Sequence, residues 1–285
     1  MKKFSLILIM FFLSIHLFAN NDQWDNDFYL KNLTDSAKKT ELFQQLMTEY
    51  GIATTIPFNE AADTLGRKGF ETSFVYSFYS VGKTEIDGQN PWEGTFKGGS
   101  PGSLNLINIK VRKGLPGSFE VGSNFSYIFG SHLFTMGLTG KFAVLEGINI
   151  LPDLAIRVTY NQLFGSRQVV MSNTSLDFII SYDFGINGMF SLAPYFAFSM
   201  SSVSAKSNLI LKSDGPPYKC DNEFCDYGDD TNYQNNLESF GEFDKSVSRY
   251  VIGARIKNAV FIFIPEIVLT SEDVWGANVK IGIDF

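Results

Sequence analysis

Histidine is almost missing from this chain. The 285 residues hold two, and one of them, His16, falls in an N-terminal apolar run. With His132 alone left as a base or ligand, nucleophile–base catalysis and zinc binding lose their usual material. Cysteine is equally scarce: Cys220 and Cys225 stand close together in one polar stretch, so no disulfide framework builds the fold. Basic charge is in deficit too. Setting aside Lys2 and Lys3 leaves 21 basic residues against 30 acids, a net charge of −9, which argues against a nucleic-acid partner. Beyond the first residues there is also no apolar run of the ~20 residues that a membrane helix needs.

Phenylalanine, in contrast, is abundant, with 28 residues in a chain whose mean hydropathy is only +0.01. A soluble protein would hide that many rings in a core. A sheet solvated by lipid can show them.

Residues 1–19 have the form of a signal peptide: Lys2 and Lys3, an apolar core from Phe4 to Phe18, then Ala19 before the cleavage point. Residues 20–68 differ in kind from the rest of the mature chain. Within them Thr34-Asp35-Ser36 is a capping signal for a helix over Lys38–Tyr50, ended by Gly51. Leu42, Phe43, Leu46, Met47 and Tyr50 share one face of it. Such a segment is too short for a domain, and suits either a periplasmic position or a plug in a barrel mouth.

From Gly69 the hydrophobic period becomes two, and it stays so to the end. Apolar and polar residues alternate in ten runs. These are Phe70–Val81, Ile107–Lys113, Phe119–Tyr127, Phe134–Phe142, Leu154–Tyr160, Leu176–Phe184, Phe190–Met200, Tyr250–Lys257, Phe261–Leu269 and Trp275–Phe285. The ninth is the least clean, because Ile262, Ile264 and Val268 fill its second face. Gln168–Ser175 and parts of Ser204–Asp244 either extend these strands or add a hairpin. Connections differ in length between the two sides. Gly82–Gly102 and Ser204–Asp244 are the longest and fall on one side, whereas Leu115–Gly117, Gly185–Gly188 and Lys257–Val260 are tight and fall on the other. These features predict an all-β fold, a transmembrane antiparallel up-and-down β-barrel of about ten strands over 69–285, with one short N-terminal helix.

The leader, the repeated amphipathic strands and the terminal Val279, Ile281, Ile283 and Phe285 together resemble Gram-negative outer-membrane β-barrel proteins. That resemblance implies an outer-membrane location, outer-membrane lipid as solvent, and recognition of the last strand by the barrel-assembly machinery. A looser likeness is to long-chain fatty-acid transporters, in which an N-terminal plug precedes the barrel; Asn59-Glu60-Ala61-Ala62 echoes that family's motif. This chain has fewer strands than that family.

Chemistry concentrates on the polar face of the strands. Lys110, Arg112, Lys141, Arg157, Arg249, Arg255, Lys257 and Lys280 face inward with Glu71, Glu120, Asp177, Asp183, Glu266 and Asp284. Such charges either set an anion preference, with Arg112, Arg157, Arg249 and Arg255 as its fixed positive groups, or pair and fill a narrow lumen. Cys220 and Cys225 are expected to form a small disulfide in the loop 204–244, an acidic, tyrosine-bearing candidate surface for an external ligand. Asp226-Tyr227-Gly228-Asp229-Asp230 offers oxygen ligands, yet departs from the twelve-residue calcium loop, so no metal and no cofactor is expected. The reading is a non-enzymatic barrel, structural, adhesive or a narrow passive pore, with hydrophobic-solute transport past an N-terminal plug as the alternative and an outer-membrane enzyme ranked after it.

Overall fold

The computed structural model describes residues 28–33, 37–93, 95–96, 101–148, 150–186, 190–211 and 237–285. The leader, Thr34–Ser36, both cysteines and the Asp226–Asp230 run lie outside the described residues.

Ten strands close into a barrel: β1 (Phe70–Ser80), β2 (Ser103–Leu115), β3 (Phe119–Ile128), β4 (Phe134–Leu145), β5 (Asp153–Phe164), β6 (Val169–Ser181), β7 (Phe190–Ser207), β8 (Glu242–Asn258), β9 (Phe261–Thr270) and β10 (Trp275–Asp284). Each pairs antiparallel with its sequence neighbours, and β10 returns to β1 from Glu71↔Asp284 to Ser80↔Trp275. Beyond that ladder, Phe70 and Phe285 exchange both backbone hydrogen bonds, at 2.7 and 2.9 Å, with their rings 5.5 Å apart. Among the ten strands no edge is left unpaired, which is what a sheet in lipid requires. The segments of uncertain role mostly extend strands: β6 starts at Val169, β7 runs to Ser207 and β8 begins at Glu242, while Ile210–Leu211 pairs with Leu237–Glu238 in a separate two-residue ladder, so the barrel itself has ten strands.

The pleat sorts the residues. Along β5, Arg157, Thr159 and Asn161 are buried inside while Ile156, Val158 and Tyr160 are exposed outside. Leu138 and Ile281 are more than 60% exposed. Isolated exposed apolar residues are ordinary, but a continuous belt of them on every strand is not. Its solvent is the acyl chain. On β9 the lipid face is Phe261, Phe263, Ile267 and Leu269, and Ile262, Ile264 and Val268 turn inward beside Glu266. That explains the blurred period there: both faces of the strand are covered by apolar material.

Most of the described residues between 42 and 65 are buried within the barrel. The helix α1 (Lys39–Thr54) buries Leu42, Phe43, Leu46, Met47 and Tyr50 as its spacing predicts. Two details differ from the sequence reading. The residue before its first turn is Lys38, with no side-chain cap, and the helix passes through Gly51 to end at Thr54. Gly51 is there for space: a Cβ on it would stand 2.4 Å from Val203 on β7. The stop comes instead from Thr55 and the extended residues before Pro57, with the Thr54 and Thr55 hydroxyls bonded back to the carbonyls of Tyr50 and Gly51, at 2.8 and 2.7 Å.

Candidate functional site

The site is the lumen, and its axis is occupied by the chain itself. At the end with long connections, Tyr29 donates its backbone N–H to Thr95 and Leu30 donates to the Gln168 side chain. At the end with tight turns, Thr64 donates to Glu146 at 2.8 Å and Leu65 to Glu120 at 3.2 Å. Between them α1 fills the outer half, and residues 55–65 run on as an irregular thread. In barrels of this class the tight turns face the periplasm, so the helix occupies the outer half and the thread runs on from it to the periplasmic rim.

A thread of this kind has no ladder to satisfy its backbone, so the wall must do it. Lys110 donates to the carbonyls of Pro57 and Phe58 at 3.0 and 2.7 Å. Lys280 donates to the Asn59 carbonyl at 2.9 Å, and Lys141 to those of Ala61 and Asp63 at 3.2 and 2.9 Å. The N–H groups are met by acceptors: Asn59 donates to Glu266 at 2.6 Å and Ala62 to the Ser181 hydroxyl at 2.9 Å. Asn59 adopts φ +46°, a region that asparagine tolerates better than most residues.

Glu60 is the hub. Its Oε2 accepts from Arg112 at 2.5 Å and lies 3.3 Å from Lys141; its Oε1 accepts from Arg157 and lies 3.8 Å from Lys110. Arg112 also bonds Glu120 at 2.7 Å and Glu71, and Glu71 pairs with Lys280. Arg157 bonds Asp177 at 2.7 Å. All of these groups are buried. Charges so far from water persist only when matched, and here each has a partner of opposite sign. Below Arg157, the Phe58 ring lies 4.1 Å from its guanidinium and 5.3 Å from that of Arg249, a double cation–π contact.

Nearer the periplasmic rim Arg255 forks onto both oxygens of Asp63 at 2.7 Å and reaches Asp183 at 3.0 Å. Lys257 and Asp284 pair at 2.7 Å. The outer mouth is apolar by comparison. Phe43 stacks on Phe240 at 5.0 Å, Phe28 meets Tyr50 at 4.7 Å, and Glu49 accepts from the Trp92 indole and from Gly82, both at 2.7 Å. At the exposed start of the helix, a hydrogen bond from Lys38 to Asp87 and the charge of that carboxylate raise the pKa of Lys38.

The structure therefore brings together Lys110, Arg112, Lys141, Arg157, Glu120 and Asp177, with Arg249 at the edge of the group and Arg255 apart, nearer the rim. His132 stands exposed in the β3–β4 connection, away from the buried carboxylates. Among the described residues no cluster of His, Cys, Asp and Glu has the form of a metal site. Sequence reasoning missed Glu60, Asn59 and Phe58 as contacts of these cations. The signal available was a lone acid and amide inside the otherwise apolar run Ile56–Ala62.

No family model matches the sequence, and no curated protein does. Among solved structures, the N-terminal β-barrel domain of Pseudomonas aeruginosa OprF aligns over 77% of this chain and 99% of its own, at 14% identity and a TM-score of 0.30. The KdgM porin in complex with disordered oligogalacturonate aligns over 75% and 99%, at 6% identity and a TM-score of 0.35. Ail of Yersinia pestis, in complex with the heparin analogue sucrose octasulfate, aligns over 77% and 99%, at 12% identity and a TM-score of 0.31. The class follows from this chain's own closed sheet and lipid-facing belt. The protein is an integral outer-membrane β-barrel.

Proposed function

We propose that the protein is a non-enzymatic channel held closed by its own N-terminal segment, and that solute passes only when this segment moves. One observation carries the reading. The thread 55–65 crosses the lumen without joining the barrel's hydrogen-bond ladder, and is held by the tips of wall side chains that water can replace. A barrel built only for structure has a simpler solution in ten strands, which is to fill the interior with side chains from the wall. The buried acids are engaged with cations or with backbone N–H groups, which speaks for binding over catalysis.

The apolar outer half supports a second reading, passage of a hydrophobic solute: Leu104, Leu106, Ile128, Leu163, Val203 and Val247 turn inward around α1. Conductance in planar bilayers tests the main one. The intact protein should be nearly silent, and deletion of residues 20–68 should give sustained openings. Equal silence from both proteins would overturn the channel and leave a packed structural barrel.

A further inference from the structure

We propose that Lys110, Arg112, Lys141 and Arg157 form a binding site for a carboxylate-bearing solute, which Glu60 fills from within while the barrel is closed. The proposal deepens the plugged-channel reading, and rests on it for the route by which a solute arrives.

The geometry is that of a carboxylate receptor. Each Glu60 oxygen is met by one arginine and one lysine: Oε2 by Arg112 at 2.5 Å and Lys141 at 3.3 Å, Oε1 by Arg157 and by Lys110 at 3.8 Å. The four cations reach this point from three strands, β2, β4 and β5. Two flat guanidinium groups on opposite oxygens suit a planar two-oxygen anion. Donor capacity is left over, since Arg112 Nε and Arg157 Nη2 are buried with no hydrogen-bond partner.

Charge counting points the same way. At this level the wall contributes six cations, the four above with Arg249 and Lys280, against four acids, Glu71, Glu120, Asp177 and Glu266. The wall alone is thus two charges positive in a confined space where an unmatched charge is costly. Glu60 supplies an anion from the axis. Once the thread withdraws, the same requirement falls on whatever occupies the lumen, and a carboxylate anion meets it with the contacts already built.

The test uses the full chain with Glu60→Ala, purified in detergent, with potassium acetate replacing potassium chloride at equal ionic strength. Acetate should raise the thermal midpoint of the Glu60→Ala protein by about 3 °C, increasing with the logarithm of its concentration. Wild type, whose site is filled, and Glu60→Gln, whose amide takes up the space, should not respond. No shift for Glu60→Ala, or the same shift in all three, overturns the site. If Glu60→Ala does not fold in chloride, its folded yield in acetate is the readout, and no gain there overturns the site equally. Glu60→Lys separates this proposal from the channel beneath it. Its fifth cation should expel the thread and give openings of anion-selective reversal potential. Cation-selective openings overturn the site and leave the channel. Silence from Glu60→Lys beside an acetate response in Glu60→Ala overturns the channel and leaves the site.

Discussion

At the residue scale, two glycines decide whether the wall can close around its tyrosines. A Cβ on Gly253 of β8 would stand 2.5 Å from the Tyr195 ring, and one on Gly276 of β10 would stand 2.4 Å from the Tyr79 ring. Both tyrosines are buried on the lumen side and lie across the bare backbone of the neighbouring strand. Gly253→Ala and Gly276→Ala should therefore each destabilise the barrel by about 1–3 kcal/mol, the usual cost of overpacking, measured by denaturant unfolding in detergent. The β8–β9 turn offers the opposite case. Ala259 carries φ +53°, where a Cβ is penalised, so Ala259→Gly should stabilise by about 1 kcal/mol in the same measurement. Neither effect is visible in the sequence, where both glycines sit in strands of ordinary alternation. Glu60 illustrates the same limit. Its arginine partners are 52 and 97 positions away, and only barrel closure makes them neighbours.

The elements divide between those that local pattern specifies and those that the barrel specifies. All ten strands were legible, because a period of two repeated against lipid leaves one register in which no charge meets the acyl chains. The apolar face of α1 was legible for the analogous reason at period 3.6. Its end was not. Gly51 is a stop signal by local rules, and becomes an interior residue because β7 passes too close for any side chain. The thread after it has no period at all, since its backbone is satisfied by strands from the whole circumference. Phe58 is the element's anchor, gripped by Arg157 and Arg249. Each such contact is worth about 1–2 kcal/mol when desolvated, so Phe58→Ala should loosen the thread without touching a strand pairing. The expected result is a higher frequency of channel openings in bilayers, with little change in the unfolding midpoint of the barrel. A fall in the midpoint with no added openings would show Phe58 to be wall packing instead.

For the whole molecule, the critical place is the seam where the last strand returns to the first. Every other neighbouring pair of strands is joined by a connection, but β1 and β10 are held together by non-covalent contacts alone. Phe285 lies at the periplasmic end of that seam. It contributes both backbone hydrogen bonds to Phe70 and a ring contact. At ~1 kcal/mol for each hydrogen bond and ~1 kcal/mol for the aromatic pair, deleting it removes roughly 3 kcal/mol of closure. An outward side chain far from the seam makes the control. Leu138 on β4 is 66% exposed to the surroundings, and Leu138→Ala exchanges a leucine–lipid contact for an alanine–lipid one. Folding into lipid vesicles, followed by tryptophan fluorescence or resistance to protease, should be markedly slower and less complete for the chain lacking Phe285. The Leu138→Ala chain should fold nearly as wild type. Equal folding of the three would mean that β1 and β10 close on the register from Glu71 to Ser80 alone, with the terminal residue adding only an outward ring.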